Sequence, residues 1–175
     1  HHALALSIYR DPAPLFVTLV YEGTDVGTHL FAPYHPPQRD GVSAEAYRKY
    51  WPAVSNYYSD VDRMIGEWMK VLPDDTTVII VSAHGYKWGK TRSTEPPAGR
   101  AALSDHRNPG IFIAYGNHVL ASRASHSISI YAIVAPVLAI PGLPQAAGIP
   151  GPLPAGACHG HPAARHRRGA SDSER

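Results

Sequence analysis

Residues 76–89 read TTVIIVSAHGYKWG. The run is continuously apolar and β-branched through its middle, and turn residues bound it. It predicts a strand over 76–82, buried on both faces as strands of parallel sheets are. A small turn then carries His84. In α/β enzymes such strand ends are where functional groups gather. A metal or acid–base site there calls for a carboxylate beside the histidine, and this chain has Ala83 in that place.

Upstream, LFVTLVY (15–21) has the same character and predicts another central strand, which ends in EGTDVGTH. A proline-rich loop, FAPYHPPQRDG (31–41), comes next. Ser43 is an expected N-cap, with Glu45 in the first turn favourable to the helix dipole. The helix that follows carries Val54, Tyr57, Tyr58, Val61, Met64, Ile65, Trp68, Met69 and Leu72, an apolar stripe at spacings of three and four. We read that stripe as core packing. Pro52 kinks this helix or restarts it. Downstream, residues 86–104 read as a polar surface loop, IFIAY (111–115) as a third strand, and 127–140 as a closing helix. Leu4–Tyr9 reads as the end of a helix before the Asp11-Pro12-Ala13-Pro14 break. Strand, long helix, strand is a βαβ pattern, so the expected class is α/β with a mostly parallel sheet flanked by helices.

A chain of 175 residues suits one domain with a real core, and its 44 % apolar content is ordinary. The formal charge of +2 calls for neither a nucleic-acid polymer nor an acidic membrane surface. Cys158 stands alone and forms no internal disulfide. No apolar run reaches the length of a membrane span, and the start lacks the basic-then-apolar pattern of a secretory leader. From Pro141 onward the chain has no aromatic residue and turns to Pro, Gly, Ala and Arg. Residues 145–175 therefore read as a disordered tail, too poor in apolar surface to offset the entropy of ordering. His159, His161 and His166 within it form a His-rich tract that a solvated tail explains without a metal.

Asp25 and His29 follow the first expected strand, His84 the second, and His106 precedes the third. Carboxylate oxygen and imidazole nitrogen suit zinc or manganese. Asp25 and His29 are four apart, so one helical turn puts both on one face. An Asp that caps a turn and a His that bonds backbone would give the same spacing.

Taken together, YEGTDVGTHLFAPY, TTVIIVSAHGYKWG, HRNPGIFIAYGNHV and SISIYAIVAPVLAIPGLP, in that order, resemble the type I phosphodiesterase/nucleotide pyrophosphatase family of the alkaline phosphatase superfamily. The resemblance runs from about Leu15 to Pro144. It implies an alkaline-phosphatase-like α/β domain over 1–144, of which this chain resembles the carboxyl-terminal part, the amino-terminal part being missing. It also implies a hydrolase of phosphate esters using two metal ions, usually zinc, and a nucleophilic threonine or serine. By position, Asp25, His29 and His106 look like the ligands of the first metal and His84 like a ligand of the second. The family's aspartate before that histidine falls at Ala83. Its nucleophile and a further aspartate lie well upstream of the Asp-x-x-x-His block, and neither Ser7 nor Thr18 stands in such a context. In the later helix the family's Asp and its Pro-Thr are met by Ala132 and Val137.

Two functions follow. One is a metal-dependent phosphodiesterase-type hydrolase, inactive as this chain is written because the nucleophile and two ligand aspartates are missing. The other is a non-catalytic truncated homologue or fragment that binds at most one zinc. Lys87 is a weaker candidate for holding a phosphate, and Asp105 for orienting His106. A partial sheet keeps raw edges that invite association with another chain. The family often works outside the cytosol, but the segment that would carry such an address is not in this chain, so the compartment stays open.

Overall fold

A computed structural model of the chain describes residues 1–10, 14–88, 105–117, 119–120 and 127–144. The expected tail at 145–175, with its histidines and Cys158, and most of the expected loop over 86–104 lie outside the described residues. The chain divides into two compact units, His1–Pro73 with His84–Asn108, and Asp74–Ala83 with Pro109–Arg175.

The first unit is helical with one small ladder. Helix α1 spans His2–Tyr9, α2 Gly23–Phe31, α3 Ala44–Tyr50 and α4 Ala53–Met69, with a 3₁₀ turn at Ala32–Tyr34. Ser43 caps α3, its hydroxyl accepting from Ala46 N–H at 3.2 Å. Pro52 stands at the N-cap of α4, so the proline restarts the helix. Leu6 and Tyr9 of α1 pack on Trp68 near the end of α4, with Ala5, Val71 and Leu72 around them. Tyr9 meets Trp68 edge-on at 5.4 Å, a favoured aromatic geometry. The Trp68 indole N–H donates to Tyr21 Oη at 3.0 Å, so this buried donor is satisfied.

The stripe on α4 is narrower than its sequence spacing suggests. Val54 and Trp68 are buried and Tyr57, Val61, Met64 and Ile65 half-buried, while Tyr58 and Met69 face out. Helix α2 packs on α4. Gly23 permits this, because a Cβ at that position would overlap the Tyr57 phenol. Two short strands, β1 (Gly85–Tyr86) and β2 (His106–Arg107), pair antiparallel with Tyr86 opposite His106.

In the second unit β3 (Val78–Val81) pairs antiparallel with β4 (Phe112–Tyr115), Val81 opposite Phe112. Ser82 N–H donates to Ile111 C=O and Ile111 N–H to Ser82 Oγ, both at 3.0 Å, and these bonds extend the pair by one rung. A 3₁₀ turn at Ile130–Ile133, capped by Ser129, runs into α5 (Val134–Ala139). Gly116 has φ +134°, and a Cβ there would come within 2.6 Å of the Thr76 carbonyl oxygen.

The class is α/β, but two expectations are corrected. Residues 15–20 form no strand. They are exposed throughout, Leu15 by 95 % and Val20 by 77 %. And both described sheets are two-stranded and antiparallel. The two corrections have one cause. Without a strand at 15–21 there is no βαβ crossover to make a parallel pair. The chain instead leaves β3 after Val81 and re-enters the same end at Phe112, which reverses its direction. A two-stranded ribbon also leaves one face open, so Ile113 and Tyr115 are exposed where burial on both faces was expected.

Candidate metal centre

Every residue of this centre belongs to the first unit. Helix α2 supplies Asp25 in its first turn and His29 in its last. The i, i+4 spacing puts both on one face, and an acidic group early in a helix is favoured by the dipole. Thr24 and Thr28 donate to the Tyr21 and Thr24 carbonyls, so their hydroxyls are satisfied within the segment. The β1–β2 ladder supplies the rest: His84 just before β1, Tyr86 within it, and His106 opposite Tyr86 on β2. Asp105 is held by the same ladder, its carbonyl accepting from Lys87 N–H at 2.8 Å.

Three atoms converge. Asp25 Oδ1 lies 3.4 Å from His29 Nε2 and 3.3 Å from His106 Nε2. The two Nε2 atoms stand 3.0 Å apart. Donors of a tetrahedral zinc site, each about 2.0–2.2 Å from the ion, stand about 3.3–3.6 Å from one another. The triangle of 3.0, 3.3 and 3.4 Å has nearly that size. Asp25 Oδ1 is itself enclosed and has no well-formed hydrogen bond among the described residues, although the side chain as a whole is 42 % exposed. A carboxylate oxygen that is out of water and unbonded is costly. A cation in that position relieves the cost. The donor set Asp25, His29 and His106 therefore fits a divalent metal in both chemistry and spacing.

His84 is also at hand, with Nε2 3.9 Å from the same Oδ1. Its Nδ1 faces the Gly85 carbonyl at 3.1 Å. A carbonyl only accepts, so Nδ1 carries the proton and Nε2 the lone pair in the neutral ring. The His84 ring stacks on His106, centroids 3.5 Å apart and planes within 13°. Imidazole lone pairs lie in the ring plane, so two nearly parallel rings do not aim at one point. His84 is directed beside the position shared by the other three.

His106 is held below the usual histidine range, by burial above all and then by the neighbouring His84, with Asp25 opposing. A neutral ring keeps a lone pair on one of its two nitrogens, as a metal ligand requires.

Tyr86 and Asp105 are the residues the sequence reading placed otherwise. Tyr86 stood at the head of a supposed surface loop, yet it is buried and in a strand. Its hydroxyl meets His29 Nδ1 at 2.9 Å and Asp105 Oδ2 at 3.5 Å. Asp105, expected beside His106 because of its position in the chain, thus reaches His29 through Tyr86. Alternation would have shown Tyr86 opposite His106 had the two-residue strand been long enough to carry a period. Lys87 is half-buried at the end of β1. Trp88 packs against His35 at 4.4 Å.

A family model described as type I phosphodiesterase / nucleotide pyrophosphatase matches residues 3–106. That is more than half of the 175 residues, and it takes in all four of Asp25, His29, His84 and His106. No curated protein and no solved structure matches the chain significantly.

Proposed function

The chain belongs to the type I phosphodiesterase/nucleotide pyrophosphatase family, and on that premise we propose that it holds one zinc ion through Asp25 Oδ1, His29 Nε2 and His106 Nε2, the first metal position of a phosphoric-ester hydrolase. The observation that carries this reading is the convergence of those three atoms, one of them an enclosed oxygen with no well-formed hydrogen bond among the described residues. When bound there, a divalent ion supplies Lewis acidity toward a phosphoryl oxygen. The protein's own part is to hold the three donor groups in place. Lys87, at the end of β1, is a cation of the right charge to attract the phosphate ester.

The second metal position is a different matter. His84 is a donor for it, but Ala83 has no ligand atom where the family has a carboxylate. Losing that charge weakens a site for a dication, and a two-metal displacement needs both ions to stabilise the attacking and leaving oxygens. The reading for this chain is therefore a one-metal member with negligible diesterase turnover. The non-catalytic reading is favoured by that same alanine.

Titrating the full chain with zinc against a chromogenic chelator, alongside an assay with bis(p-nitrophenyl) phosphate, tests both parts. One equivalent of zinc with no turnover is the expected result. Turnover that disappears in His29→Ala would overturn the one-metal reading.

A further inference from the structure

We propose that Tyr86 and Asp105 act as a positioning pair that fixes the His29 tautomer, so that Nε2 and not Nδ1 offers its lone pair to the ion. The inference rests on the metal-site reading for its purpose but not for its geometry. Tyr86 is buried, and among the described residues its hydroxyl meets His29 Nδ1 at 2.9 Å and Asp105 Oδ2 at 3.5 Å. Asp105 is only 3 % exposed. The bond between the phenol and this carboxylate runs from Tyr86, so the phenol proton goes to Asp105. The phenol oxygen then has lone pairs alone to offer, and His29 Nδ1 must be the donor. That leaves Nε2 unprotonated on the side of Asp25 and His106.

Three further contacts agree with this assignment. The Tyr86 and His29 rings meet nearly edge-on, centroids 5.0 Å apart and planes at 72°, which holds the imidazole against rotation. In the metal-free chain His29 Nε2 can accept from a His106 Nε2–H at their 3.0 Å separation. And Tyr86 is fixed by the ladder that positions His106, so one strand pair places a ligand and the group that orients another ligand. The chain Asp105, Tyr86, His29 extends by one member the carboxylate–histidine pairs that commonly orient metal ligands.

The test has two arms on the full chain. In the metal-free protein, long-range ¹H–¹⁵N NMR of the His29 imidazole should show the Nδ1–H tautomer in wild type and a mixture in Tyr86→Phe. In the chelator competition, Tyr86→Phe should weaken zinc binding about 10- to 100-fold. Asp105→Leu should do the same, and the double variant should be little worse than either single one, as expected of groups acting in series. Asp105→Asn keeps an accepting oxygen and should recover most of the affinity, an outcome that a loss of packing alone would not give. If Tyr86→Phe fails to fold, the wild-type tautomer and the Asp105 pair still decide. An Nε2–H tautomer in wild type, or undiminished zinc affinity in folded Tyr86→Phe or Asp105→Leu, overturns the proposal. A wild-type chain that binds no zinc but shows the Nδ1–H tautomer would sink the metal reading and leave the positioning pair standing.

Discussion

At the scale of single residues, the centre is built on an imbalance. Asp25 Oδ1 faces two imidazole nitrogens at 3.3–3.4 Å without a well-formed hydrogen bond to either. His106 is at the same time kept from protonating, chiefly by its burial. The sign of its pH effect follows. With the folded pKa below the ordinary value of 6.5, the unfolded chain binds more protons between the two values, so stability rises with pH there. The metal-free chain should therefore lose stability as pH falls from about 7.5 through the ordinary histidine value near 6.5. In His106→Gln the loss should be shallower. Urea midpoints at pH about 7.5 and 5.5 measure it, and equal shifts in the two proteins would contradict this account of His106.

The elements show what places those residues. Asp25 and His29 ride on α2, which packs on α4 with Gly23 against the Tyr57 phenol. Gly23→Ala should cost about 1–3 kcal/mol by overpacking and weaken zinc binding, since both α2 donors move. Tyr57→Ala in the same chain should restore part of the zinc affinity by removing the overlap. No rescue would mean that α2 is placed by other contacts. At α3, Ser43→Ala should lower stability by about 1 kcal/mol, read in urea unfolding, through loss of the cap.

These helical features were legible in the sequence because they are local. A Ser followed by a first-turn Glu, a proline that restarts a helix, and an Asp and a His four apart each need only one turn of backbone. The strands were half legible. VIIV and FIAY announce β structure, but partner and direction depend on the route of the chain between them. LFVTLVY has the composition of a strand yet joins no strand ladder among the described residues. Tyr86 escaped for a related reason, since a two-residue strand has no period to read. The joining of His106 to Asp25 across some eighty residues was legible only through the resemblance to a family, not through spacing.

On the scale of the whole chain, each unit shows apolar surface that its own packing leaves uncovered. In the first unit Leu15, Phe16 and Val20 are exposed in an irregular run, and in the second Ile113 and Tyr115 face out from a ribbon of two strands. Surfaces of this kind are prone to association. The chain should self-associate as its concentration rises, and Val20→Lys or Ile113→Lys should each reduce that association in sedimentation velocity. A chain that stays monomeric at about 100 μM would contradict it. Among the described residues no helix is long and apolar enough to cross a membrane.

The central claim is that Asp25, His29 and His106 together hold one metal ion. Its most direct test is the zinc content of the purified full chain, measured by plasma mass spectrometry beside Asp25→Ala and His106→Ala. The account predicts one zinc per wild-type chain and almost none in either variant, both of them folded by circular dichroism. Zinc retained undiminished in the variants, or absent from a wild-type chain purified in its presence, would contradict it.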